Sequence, residues 1–145
     1  MSITLPKSAK DNLRFLGVEV ESQINSLRAF LESPTTSMAR RILDRSGYSY
    51  NLKTRIHTSC VNRLGSVKKG DSEKLCLRTA EFIATDLERM TELARDSVKQ
   101  MSNVKKPELI RMKYFGVILD LIAKGAALVP EAIEAKDTQL ALEMS

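Results

Sequence analysis

The sequence predicts an all-α fold, an antiparallel up-down helical bundle built from long helices. Three observations carry that reading. The 145 residues are rich in Leu, Ala, Arg, Glu, Lys and Met, the good helix formers, with only six Gly and four Pro. Apolar residues recur every three or four positions, and the alternation that marks half-buried strands is missing. The breaks between periodic stretches are short, and short links between long helices force antiparallel neighbours. A hydrophobic fraction of 43% supports a core without staples, and the length suits one domain, residues 1–145.

Taken in order, the first helix reads from Asn12 to Glu32, with Ser8 or Asp11 as its cap. Its stripe is Leu13, Leu16, Val20, Ile24, Leu27 and Leu31. Ser33-Pro34-Thr35-Thr36 ends it and opens the next, with Ser33 as N-cap and Pro34 at the first helical position. The second helix runs to Leu64 through Met38, Ile42, Tyr48 or Tyr50, Leu52, Ile56 and Val61, and Gly47 marks a bend. GSVKKGD (65–71) is a turn. A third helix spans Ser72 to Met101, its seam Ala80, Ile83, Leu87, Met90, Ala94, Val98 and Met101. Pro107 opens a fourth, whose apolar positions are Ile110, Tyr114, Val117, Leu121 and Leu128, and Pro130 breaks it. A short terminal helix then turns Ile133, Leu140 and Ala141 inward. ESPTTSMA (32–39) and EAKDTQLA (134–141) also echo each other faintly, as the opening of a second copy of one unit would.

Charge is uneven along the chain. The formal net charge is +5, and residues 40–78 hold ten Lys and Arg against Asp44, Asp71 and Glu73. Such a basic middle suits an acidic protein, a membrane surface or nucleic acid. The interleaved aromatics of a single-strand binder and any groove-reading motif are missing, so no nucleic acid is expected. The longest apolar run, FGVILDLIAKGAALV, is interrupted by Asp120 and Lys124, so no membrane span is expected. Two cysteines, Cys60 and Cys76, make no disulfide framework, and the N-terminus has no signal-peptide core. The expected location is cytoplasmic. His57 lies three residues before Cys60, a spacing that suits a nucleophile pair but that neighbours on any helix face share.

IATDLERMTEL (83–93) raises a different question. Glu88 and Glu92 stand four residues apart, and Asp96 follows four later, a spacing at which like charges repel by a few tenths of a kcal/mol. One reading is a solvated flank, with Arg89, Arg95 and Lys99 as compensation. The other is a ligand set for a divalent or iron-type metal ion, with Glu88, Glu92 and Asp96 joined by Asp44 from the second helix. Without Cys or His in the stripe, a structural zinc site is disfavoured.

The segment LRTAEFIATDLERMTELARDSVKQM (77–101) resembles the signature helix of the PhoU family, cytoplasmic regulators of phosphate uptake and phosphate signalling. In that family a Leu-Arg pair leads through a mostly apolar stretch into Asp-Leu-Glu-Arg-Ile-Gly-Asp. Leu77-Arg78 and Asp86-Leu87-Glu88-Arg89-Met90 are similar in place and spacing, while Thr91 stands for the usual Gly and Glu92 for the Asp. The resemblance implies a three-helix repeat over residues 12–103 and the opening of a second over 107–145. It implies metal binding through Glu88 and Glu92. It also implies a non-enzymatic regulator that docks on a phosphate transporter's ATPase or a sensor kinase. On charge, Arg40, Arg41 and Arg45 are the expected partner contact. An apolar face left uncovered by an incomplete second bundle leads us to expect a homodimer or a dock on a larger protein. Two rival readings are a di-metal carboxylate enzyme, for which the Glu-x-x-His pairs are missing, and a basic scaffold for nucleic acid.

Overall fold

The computed structural model describes residues 5–66, 71–106, 108 and 112–135. Among the described residues five helices follow in order: α1 (Lys7–Glu32), α2 (Thr36–Leu43), α3 (Ser46–Ser66), α4 (Asp71–Met101) and α5 (Met112–Ala135). Among the described residues there is no strand. The all-α class stands.

α1 is the central rod. It packs against α2, α3, α4 and α5, and accordingly it is buried around a wide arc. Leu13, Leu16, Val20, Ile24 and Leu27 lie in the core as their spacing predicts, joined by Ala9 and Phe30, with Leu31 half-buried. The helix starts earlier than expected, after Pro6, whose carbonyl accepts the Lys10 N–H at 3.0 Å. Ser8 and Asp11 therefore lie inside it rather than capping it. Proline needs no hydrogen bond at its own nitrogen, so it suits a position at the helix entry.

The next boundary also differs. Ser33 closes α1, its N–H bonding the Ala29 carbonyl at 3.1 Å, and Thr35 caps α2 by accepting the Met38 N–H at 3.2 Å. Pro34 is the exposed link between them. The predicted second helix is in fact two. Asp44 and Arg45 form a turn, and Gly47 falls in the first turn of α3. Asp, Ser and Gly over 44–47 are poor helix formers, so a side-chain anchor at Arg45 is enough to set the corner there. Restarting the helix rotates its inward face. Ile42, Leu52 and Ile56 are buried as predicted, but Ser49 takes the place expected of Tyr48 or Tyr50 and Cys60 that expected of Val61, and all three of those expected residues are exposed.

α3 and α4 run antiparallel, shown by cross-helix contacts in steady register: Ser49 with Thr91, Lys53 with Glu88, His57 with Glu81 and Arg63 with Glu73. α4 keeps its predicted seam, with Ala80, Leu87, Ala94 and Val98 buried and Ile83, Met90 and Met101 half-buried.

α5 departs most from expectation. It runs antiparallel to α1, Arg28 pairing with Asp120 at one end and Gly17 meeting Pro130 at the other. Its inward face is Gly116, Leu119, Ala123, Ala126 and Pro130, while Tyr114, Val117 and Leu121 point outward. The small residues let two backbones approach, and periodicity alone could not choose between two apolar faces. Pro130 does not end the helix, which continues to Ala135. Its ring sits over Gly17, where a Cβ would stand 2.6 Å from Pro130 Cγ. Ile133 belongs to α5 rather than to a separate helix. Pro107, Ile110, Leu140 and Ala141, with nearly all of the 134–141 echo, lie outside the described residues.

Candidate functional site: a basic groove beside α2

The eight-residue α2 lies across α1 and brings its arginines over the polar side of that helix. Arg40, Arg41, Arg45 and Asp44 line a cavity of about 690 Å³ together with Ser22 and Ser26 of α1 and Thr36 and Ser37 of α2. The three predicted contact arginines thus share one groove. They are not equivalent. Arg45 grips Glu19 with two bonds, Nε to Oε1 at 2.7 Å and NH2 to Oε2 at 2.5 Å. Its hydrogen bond to Glu19 raises its pKa, with burial opposing and the carboxylate's charge assisting. Glu19 is only 3% exposed and also accepts from Gln23 at 2.9 Å, so Arg45 neutralises a buried carboxylate and fixes the α2–α3 corner to α1. Arg40 and Arg41 are exposed and have no anionic partner among the described residues. Their charge is available to a ligand, and four hydroxyl-bearing residues stand beside them as further hydrogen-bonding groups.

Sequence reasoning missed Glu19, Ser22, Ser26, Thr36 and Ser37. Only Glu19 left a trace, as a carboxylate beside Val20 in an otherwise apolar stripe. Contact between α1 and α2 is a tertiary fact.

The acidic stripe of α4 is resolved into separate pairs. Glu88 is 5% exposed, and Lys53 Nζ of α3 lies 2.8 Å from its Oε2. Glu92 takes Arg89 at 2.7 Å within α4, an exposed pair whose hydrogen bond raises the Arg89 pKa. Asp96 faces Lys99 at 3.7 Å. Asp44 lines the basic groove, which Glu88, Glu92 and Asp96 do not. Among the described residues, no three His, Cys, Asp or Glu side chains are grouped as a metal ion would need. One buried carboxylate facing an ammonium is a poor fit to a two-carboxylate cation site. Lys53 gives Glu88 the compensation a cation would give, which is why the Glu88–Glu92 spacing is tolerated.

Thr91, where the resemblance has Gly, is fully buried. Its hydroxyl lies 2.8 Å from Ser49 Oγ of α3 and donates to the Glu88 carbonyl at 2.7 Å. A small residue on each side lets the helices meet with both hydroxyls paired.

A second cavity, of about 320 Å³, is lined by Tyr50, Lys53, Thr54, His57, Glu81, Ala84 and Thr85. Its charges are matched internally, Lys53 to Glu88 and His57 Nδ1 to Glu81 at 2.5 Å. The neighbouring Cys60 thiol is buried and pushed up from 9.0 to about 11, chiefly by burial and then by the Glu81 charge. That is the opposite of an activated nucleophile, and His57 is bonded to Glu81 instead.

The fold and groove define a class, an all-α bundle carrying a basic groove with two arginines that have no anionic partner among the described residues. Comparison with protein-family models, with curated proteins and with solved structures finds no match to this chain. Among the described residues, no helix is long and apolar enough to cross a membrane.

Proposed function

We propose that the chain is a non-enzymatic docking module whose basic groove receives an acidic segment of a partner protein. The observation that carries this reading is the convergence of Arg40 and Arg41, without anionic partners among the described residues, on one open groove lined by hydroxyl residues. An electrostatic patch of this kind steers association and selects the sign of the partner's charge. The resemblance of residues 77–101 to the PhoU signature helix supports placing that partner in phosphate uptake and signalling, as a transporter ATPase or a sensor kinase.

The test uses a fluorescent peptide rich in Asp and Glu, followed by anisotropy. Reversal of both free arginines, Arg40→Glu with Arg41→Glu, is expected to weaken binding by tenfold or more. Arg55→Glu with Arg78→Glu changes net charge equally on α3 and α4 and is expected to leave affinity within about twofold. Arg45 is left intact, since reversing it would strand Glu19. Equal loss in both pairs, or none in either, refutes the groove. Repeating the comparison with the purified ATPase of a phosphate transporter tests the partner class separately.

A further inference from the structure

We infer that the outward face of α5 is a dimerisation surface on which a second copy of this chain seats its own α5, antiparallel and in one register. This inference is independent of the basic groove.

The first support is the distribution of polarity around α5. At 100° per residue, Lys113, Asp120, Lys124 and Glu131 fall within a strip roughly 40° wide. The inward face is held by α1, and nearly all the remaining circumference is apolar. Tyr114, Val117 and Leu121 are 62%, 60% and 65% exposed, and Phe115, Ile118 and Ile122 stand beside them. A helix apolar almost all round is normally a buried helix, yet α5 makes its contacts chiefly with α1. These six side chains leave on the order of 700 Å² uncovered, close to the ~800 Å² that each partner contributes to a standard interface.

The second support is Gly125. It lies at the centre of the outward stripe, and a Cβ built there meets nothing within 4 Å. Glycine within a helix costs about 1 kcal/mol relative to alanine, and among the described residues no contact calls for it. Gly17, by contrast, is filled by Pro130. A two-fold axis beside the Leu119–Asp120 peptide accounts for Gly125. It sets Tyr114 of one copy over Gly125 of the other, Val117 against Ile122, and Ile118 against Leu121. The largest side chain of the stripe meets its smallest residue, and every contact is made twice, as an isologous interface requires. The charged strip lies to one side of this contact.

Sedimentation equilibrium on the full chain tests the inference. The unaltered protein is expected to be a dimer at tens of micromolar, and a monomer at 100 μM overturns the proposal. Leu121→Asp, at an exposed position, is expected to give a monomer with unchanged helical circular dichroism, and Val117→Lys to do the same. A dimer surviving both substitutions places the interface elsewhere and overturns it. Gly125→Leu separates a registered interface from general adhesion: it adds apolar area but fills the hole, so dissociation is expected to rise tenfold or more. A dimer unchanged or tightened by Gly125→Leu refutes the register. Binding of phosphatidylcholine vesicles by a monomeric protein, lost in Leu121→Asp, would assign the face to a lipid surface instead.

Discussion

Glu88 shows how one residue changes meaning between sequence and structure. Along the chain it is one of a run of carboxylates on a helix flank. In the fold it is buried, with Lys53 from α3 as its counter-ion, and Glu92 is exposed and satisfied by Arg89. Removing one member of a buried pair leaves an uncompensated charge, whereas replacing both can be nearly neutral. Lys53→Met is therefore expected to destabilise the protein by about 2–3 kcal/mol, somewhat below the full buried-pair penalty because Lys53 is partly solvated. The double variant with Glu88→Leu is expected to recover most of that loss. Urea unfolding midpoints measure both, and equal losses in single and double variants would show that the pair is not what matters.

At the scale of elements, α1 and α5 are joined through small residues. The ring of Pro130 occupies the space above Gly17, and Pro130 cannot supply the N–H that the Ala126 carbonyl would otherwise accept. A methyl group at position 17 would press a rigid ring rather than a flexible side-chain end. Gly17→Ala is expected to lower stability by about 1–2 kcal/mol net, overpacking outweighing the gain in helix propensity. Gly47→Ala, where a Cβ meets nothing within 4 Å, is expected to raise stability by about 0.5–1 kcal/mol. Thermal melts of the two variants should move in opposite directions. A rise in both would mean that Pro130 yields.

Across the whole molecule, α1, α3 and α4 share the main core, while α5 lies against α1. Opening energy follows local contact density, so protection should be graded in the same way. Hydrogen exchange on the monomeric Leu121→Asp protein is expected to find the slowest amides in the middle of α1 and markedly faster ones in α5. Equal protection in the two helices would mean that α5 is held by more than its packing on α1.

The apolar spacing of Leu13, Leu16, Val20, Ile24 and Leu27, and of Ala80, Leu87, Ala94 and Val98, is enough to place two long helices and their buried edges. Each is a local pattern repeated over many turns, and each has a single apolar face. Where the pattern was two-sided, as in α5, or where a corner depended on Arg45 reaching Glu19 across 26 residues, sequence spacing had no means of choosing. The basic character of residues 40–45 is legible in composition. That Arg40 and Arg41 have no anionic partner among the described residues while Arg45 has one, and that Ser22 and Ser26 stand beside them, was decided only when α2 folded across α1. Local periodicity reports which side chains avoid water, but pairing of charges is a property of groups brought together from different helices.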